Sequence, residues 1–316
     1  MSDVAIFPAE SVTRERRPAI GYAMALSAGT LFAINGTVSK VILKSGLSSL
    51  RLTEVRCAGA LVGLTVILLV TRPQSLRIGR RELLFVAAFG VFGVALVQLF
   101  YFLAIHRLQI GVSLLIQYLG PLIVAVLAHF VLKERVRRRL WVALALALGG
   151  LTLVVDLWSG VSLDGLGVLF SLCSAVTFAA YMLFAEQAVG RRDPISLLCY
   201  GFLFASVFWA IVQPWWSFPF DVPGRTVSLL GNLSHLHLPI WALMAWLITV
   251  GTIVPFFLIV GSLRHITATR AGIVAMVEPV VASVIAYGWL DETLGATQLV
   301  GGAIVLIGIV LAQTAR

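Results

Sequence analysis

Charge is what this sequence has least of. Of its 316 residues only 12% are Asp, Glu, Lys or Arg, against 60% hydrophobic, and mean hydropathy is +1.01. A water-soluble domain carries roughly 25% charged residues, so lipid must be the solvent for most of this chain. Acid is scarcer than base: 14 Asp and Glu stand against 23 Lys and Arg, a net charge of +9. That excess does not point to nucleic acid. The basic residues fall in short connections between apolar runs, where their physical role is to orient a membrane protein. Cysteine is nearly absent as well. Cys57, Cys173 and Cys199 sit in or beside apolar runs without metal-ligand or redox spacing, and read as small packing residues. Gly-x-Ser-x-Gly, His-Glu-x-x-His and ATP-binding motifs are missing, which leaves an intramembrane enzyme or an ATP-driven pump without a motif.

Long apolar runs are what is present. They fall near 19–43, 51–71, 82–105, 110–132, 138–157, 164–188, 196–217, 238–261, 270–290 and 295–313. Backbone polar groups in hydrocarbon must bond within their own segment, and these runs are too long for barrel strands, so they predict ten transmembrane helices. Residues 1–18 are a polar tail. The run after it is too long for a signal-peptide core, which predicts an uncleaved first span. An N-terminus in the cytoplasm puts 17 of the 23 basic residues on the cytoplasmic side. The other side then receives Lys44, Arg51, Arg107 and Arg225, so both termini are expected in the cytoplasm of a bacterial inner membrane. The one long polar connection, about 218–237, holds His235 and His237 and reads as a solvated loop rather than a metal site.

The chain repeats itself. At an offset of 158, Pro121/Pro279, Val126/Val284, Ala128/Ala286, Glu134/Glu292, Ala145/Ala303, Gly150/Gly308 and Leu153/Leu311 are identical. At an offset of 146, Gly21/Gly167, Leu26/Leu172, Phe32/Phe178 and Ala33/Ala179 coincide. The related loops have opposite charge: Lys133-Glu134-Arg135-Val136-Arg137-Arg138-Arg139 against Asp291-Glu292. Five helices per unit is an odd number, so two homologous units insert in opposite directions. The repeat predicts an all-α membrane protein of two inverted five-helix units, 19–157 and 164–313.

With Pro121, Glu134, Gly149 and Gly150 in one unit, Glu278-Pro279, Glu292, Gln298, Gly301, Gly302 and Gly308 in the other, and Arg56 in the second span, the chain resembles the EamA family of the drug/metabolite transporter superfamily. The resemblance covers nearly the whole chain. It implies a ten-helix transporter with a central cavity, working without a cofactor. Members export amino acids and other small metabolites, and the aromatic amino-acid exporter branch is the nearest comparison by overall likeness. Relatives that carry nucleotide sugars, other metabolites or lipid carriers supply the alternative cargo.

An ionisable or amide group at mid-bilayer costs roughly 2.5–3.5 kcal/mol for a charge on insertion scales and faces protein or water. Glu278 lies at that depth in the ninth span. It is either a proton-titrating group or substrate-ammonium partner, or a structural hydrogen-bonding group beside the Pro279 kink. Gln117 and Tyr118 lie at matching depth before Pro121. Gln98, Tyr101, Asn35 and Tyr181 complete the substrate-cavity candidates; for each of them polar contact between helices is the competing reading. Lys40, Glu54 and Arg56 form a charged cluster near span ends, read as an ion pair or, through Arg56, a substrate-carboxylate site. Pro121, Pro255 and Pro279 kink helices. Pro255 aligns with Val97, which predicts a kink in one unit only. Gly59-x-x-x-Gly63 and the glycines of the last helices allow close helix approach, between the units or in a homodimer. The expected partners are a small-molecule substrate and the lipid bilayer, and no metal is implied.

Overall fold

The computed structural model describes residues 17–108, 110–130, 137–154, 164–190, 192–291 and 295–314. Most of the polar tail, Lys133 to Val136 with Glu134, and Glu292 lie outside the described residues. Ten helical rods follow the apolar runs. They are α1 (Pro18–Leu43), α2 (Ser49–Thr71), α3 (80–105), α4 (110–130), α5 (Arg138–Val154), α6 (Gly165–Val189), α7 (Pro194–Val212), α8 (240–262), α9 (268–290) and α10 (Ala296–Thr314). Seven meet the length and composition needed to cross a bilayer; Val112–Leu127 and Ala296–Ala312 are shorter apolar stretches. One end of the bundle carries the basic connections 72–79 and 263–267. The other carries the connection 213–239 and is called the hairpin end below.

The two five-helix halves interlock by exchanging their first helices. Helix α1 packs on α8 and α9 of the second half, while α6 packs on α3 and α4 of the first. Two further seams join the halves, α2 with α7 and α5 with α10. On the α5–α10 seam a Cβ built on Gly150 would stand 2.7 Å from the Gly301 carbonyl oxygen, and one on Gly308 2.8 Å from that of Ala143. Glycine is what lets these backbones touch. Gly59 and Gly63 of α2 instead make room for the side chains of Ile248 and Ile253 of α8. These small faces are used inside the chain.

Four rods are interrupted, in symmetry-related pairs. Helix α3 runs Arg80–Ala88, passes through a π-helical turn at Phe89–Ala95 and continues as Leu96–Ile105. Helix α8 does likewise, with its π turn at Thr249–Ile253. The distortion is therefore shared, which corrects the expectation of a kink confined to the half with Pro255. A π turn leaves one residue out of the i to i−4 ladder without needing proline. Helix α4 breaks between Ile110–Gln117 and Gly120–Phe130, and α9 between Ala268–Ala275 and Val277–Leu290.

One boundary and one connection also differ from expectation. The seventh span ends at Val212 rather than 217, because Pro214 leads into a 3-10 turn at Trp215–Ser217. The connection beyond it is folded rather than simply solvated. A two-stranded hairpin, β1 (Thr226–Ser228) with β2 (His237–Pro239), lies next to Phe218, Val222 and Leu229, which bury against α1 and α8. Trp289 at the end of α9 donates its indole N–H to the Leu229 carbonyl. His235 and His237 are exposed on this hairpin.

Candidate functional site

The interrupted rods converge between the halves. A cavity of about 150 Å³ lies there, walled by α1 (Gly29, Phe32), α3 (Gly93, Val94, Val97, Gln98), α4 (Leu114, Gln117, Tyr118), α6 (Phe178, Tyr181, Met182), α8 (Phe256, Ile259) and α9 (Ala275, Glu278). Its wall is largely aromatic. Phe178 and Tyr181 stack at 6.3 Å between centroids, Tyr181 meets Phe256 edge-on at 5.9 Å, and Phe32 meets Phe256 at 5.3 Å. Tyr118 closes the ring against Phe178 at 6.3 Å. Such rings offer apolar area with little conformational entropy to lose, and faces that attract a cation.

Proline chemistry places the polar groups. Proline has no N–H, so the carbonyl four residues earlier loses its helical donor. Pro255 frees Gly251, and Asn35 of α1 donates its amide to that oxygen at 2.8 Å. Pro279 frees Ala275, and Tyr118 of α4 places its Oη 3.2 Å from that oxygen. The same Oη lies 2.7 Å from Glu278 Oε2. Pro121 frees the carbonyl of Gln117, a residue of the cavity wall. Asn35 makes a helix–helix contact and is not among the residues that wall the cavity.

Arg56 donates Nε to Thr252 Oγ1 at 3.2 Å and stands within electrostatic reach of Glu278, as does Tyr101. Of the charged residues singled out near these span ends, Glu54 has Arg51 as its ion-pair partner among the described contacts. Glu54 pairs with Arg51 at 2.7 Å, because residues three apart share a helix face and Arg51 has turned inward. Two polar atoms on the cavity wall, Tyr181 Oη and Gln98 Oε1, are buried with no hydrogen-bond partner among the described residues. Buried polar groups are nearly always satisfied, and these two belong to residues of the cavity wall. Among the described residues no group of three or more His, Cys, Asp or Glu side chains is arranged to hold a metal.

Sequence reasoning missed Phe32, Phe178 and Phe256 as wall residues. Phe32 and Phe178 carried a signal, being identical across the repeat. The Tyr118–Ala275 contact was also missed, although Pro279 marks the orphaned carbonyl.

Residues 19–156 and 165–314 each match the EamA-like transporter family. The chain belongs to that family. Among similar proteins, an uncharacterized transporter of Archaeoglobus fulgidus is 30% identical over 88% of this chain and 91% of its own length. The threonine/homoserine exporter RhtA of Escherichia coli is 25% identical over 81% of this chain and 80% of its own. A crystal structure of a protein with 15% identity superposes with a TM-score of 0.76, covering 93% of this chain and 96% of that one, which shows the fold. The protein is a multi-pass membrane transporter of this family.

Proposed function

We propose that the protein exports amino acids across a bacterial inner membrane by alternating access, with the basic end in the cytoplasm and the hairpin end outside. The observation that carries this reading is Glu278, a carboxylate on the wall of a largely apolar cavity, with Arg56 within electrostatic reach. A free amino acid carries an ammonium and a carboxylate on the same carbon atom. Glu278 takes the first and Arg56 the second, as charge-assisted hydrogen bonds. The rings of Phe32, Phe178, Tyr181 and Phe256 receive the side chain, which favours apolar and aromatic cargo. Tyr181 Oη and Gln98 Oε1 meet the remaining polar atoms. Similarity to a threonine/homoserine exporter supports the cargo class. The similar proteins bear transporter names, which supports transport rather than an enzymatic reaction.

The test is uptake into proteoliposomes from a panel of amino acids and other metabolites, with and without a pH gradient. Saturable transport of at least one amino acid is expected, and saturable transport of none defeats the reading. A charge-assisted hydrogen bond is worth roughly 1.5–3 kcal/mol, so E278Q is expected to weaken amino-acid binding by about 10- to 100-fold. Unchanged binding removes Glu278 from the ammonium role.

A further inference from the structure

The inverted repeat makes an asymmetry readable. At the basic end the halves of α4 and α9 nearest that face, Gly120–Phe130 and Ala268–Ala275, pack together. A Cβ on Gly272 would stand 2.8 Å from Pro121 Cγ. Residues Ala271, Ile273 and Val274 beside it are fully buried. The symmetry-related halves at the hairpin end, Ile110–Gln117 and Val277–Leu290, do not pack on one another in this way. The cavity is thus closed toward the basic end by a contact between α4 and α9 that, among the described residues, is not matched in extent between the hairpin-end halves. Tyr118 sits where both helices break, reaching from α4 to Ala275 and Glu278 of α9.

A phenol has one proton to donate. When Glu278 is ionised, Tyr118 donates to Oε2, the stronger acceptor, and the Ala275 carbonyl orphaned by Pro279 is left without a donor. When Glu278 is protonated, its carboxyl donates to Tyr118 Oη and the phenol donates to Ala275. The chain is then complete, with every buried polar atom in it satisfied. The two states differ by one buried unsatisfied carbonyl located in the seal itself.

We propose that Tyr118 is a positioning residue that couples the proton on Glu278 to the seal between α4 and α9. Protonated Glu278 holds the seal shut through Tyr118, and ionised Glu278 loosens it. Arg56 of α2, Tyr101 of α3 and Tyr118 of α4 act on Glu278 and set the balance, while Tyr181 of α6, Phe32 of α1 and Phe256 of α8 share its cavity. The mechanism rests on the proposed function only for the assignment of faces, and it needs no cargo to operate.

The test is maleimide labelling of a cysteine at Thr269, 5% exposed on the sealed half of α9, in the purified full-length protein. Reactivity is referred to a cysteine at Thr314, an exposed position at the same end, which cancels the effect of pH on the thiol. The native cysteines are subtracted with the parent chain. In the otherwise native chain the ratio is expected to rise several-fold as pH rises. In E278Q, whose amide donates to Tyr118 at any pH, it stays low and flat. In Y118F, which cannot complete the chain, it is high and flat.

A flat ratio in the native chain, or a Y118F ratio that keeps the native size and pH response, overturns the proposal. Should Y118F fail to fold, E278Q decides: a pH response retained there is equally fatal. If the pH response follows Tyr118 while no amino acid is transported, the seal mechanism stands and the amino-acid reading falls. If amino acids are transported but the response ignores Tyr118, the reverse holds.

Discussion

The chemistry of this molecule turns on N–H groups that three residues do not have. Pro255 and Pro279 each orphan a carbonyl, and in each case a side chain from the other half supplies the missing donor: Asn35 to Gly251 and Tyr118 to Ala275. A helix defect becomes an inter-half contact. The energetic logic is that a buried acceptor left unpaired costs roughly 1–3 kcal/mol, so the donors are under strong constraint. N35A is expected to lower stability by about that amount, read as a thermal melt in detergent. P255A gives the helix back its own donor for Gly251, and in that background N35A is expected to cost much less. Equal costs in both backgrounds would show that the Asn35 amide is not answering Pro255. At this scale the sequence showed where the defects are, since proline is visible by eye. It did not show which side chain repairs each one, because the repair comes from 216 residues away for Asn35 and 157 for Tyr118.

Helices α2 and α7 are fastened at both ends by arginines that sequence reasoning counted only as charge. At the hairpin end Arg51 is buried. It pairs with Glu54 and donates to the Gln213 and Pro214 carbonyls and to Ser217. At the basic end Arg192 pairs with Glu82 and donates to Ser196 and to the Ser75 and Arg77 carbonyls, lying over the Tyr200 ring at 5.0 Å. Each arginine grips a 3-10 turn that a proline starts, Pro214 in one case and Pro73 in the other. The two ends are thus alike in construction, although α4 and α9 pack closely at the basic end. The α2–α7 pair is fastened at the hairpin end as well as the basic one, which marks it as a fixed part of the frame. Removing one partner of a buried pair strands the other, at about 3–5 kcal/mol. R51A leaves Glu54, 1% exposed, without its cation, and is expected to cost that much. R72A breaks the Arg72–Asp193 pair, whose arginine is 62% exposed, and is expected to cost about 0–1 kcal/mol. Chemical or thermal unfolding of the two variants side by side checks the ranking, and similar losses would deny Arg51 its fastening role.

The whole molecule is two halves held along fixed seams around a cavity whose closure is one-sided. The α5–α10 seam depends on backbone contact at Gly150 and Gly301. Gly149 is adjacent in sequence, but a Cβ there meets nothing within 4 Å. G150L is expected to force the halves apart, at about 1–3 kcal/mol or more for overpacking, whereas G149L is expected to be tolerated. Folded yield and melting temperature measure both. A G150L protein as stable as G149L would mean that the halves are not held along this seam.

The composition and the repeat determined the class of this protein by themselves. Sparse charge over long apolar runs requires membrane helices, and an odd number of helices in each of two related units requires that the units be inverted. Pro121 and Pro279, at equivalent positions in the repeat, also pointed to the depth of the site. These follow from the sequence because hydrophobicity and periodicity are local properties, visible without knowing what touches what. The tertiary structure alone decided that Glu54 belongs to Arg51, that Asn35 serves a backbone carbonyl, and that Phe32, Phe178 and Phe256 face a cavity. It alone showed that α4 and α9 pack more extensively at the basic end than at the hairpin end. Those facts depend on which face of each helix turns inward and on a choice between two nearly symmetric closures. Two inverted copies of one unit can close at either end, so the repeat allows both arrangements, and the packing of Gly272 on Pro121 with the hydroxyl of Tyr118 between the helices selects one of them.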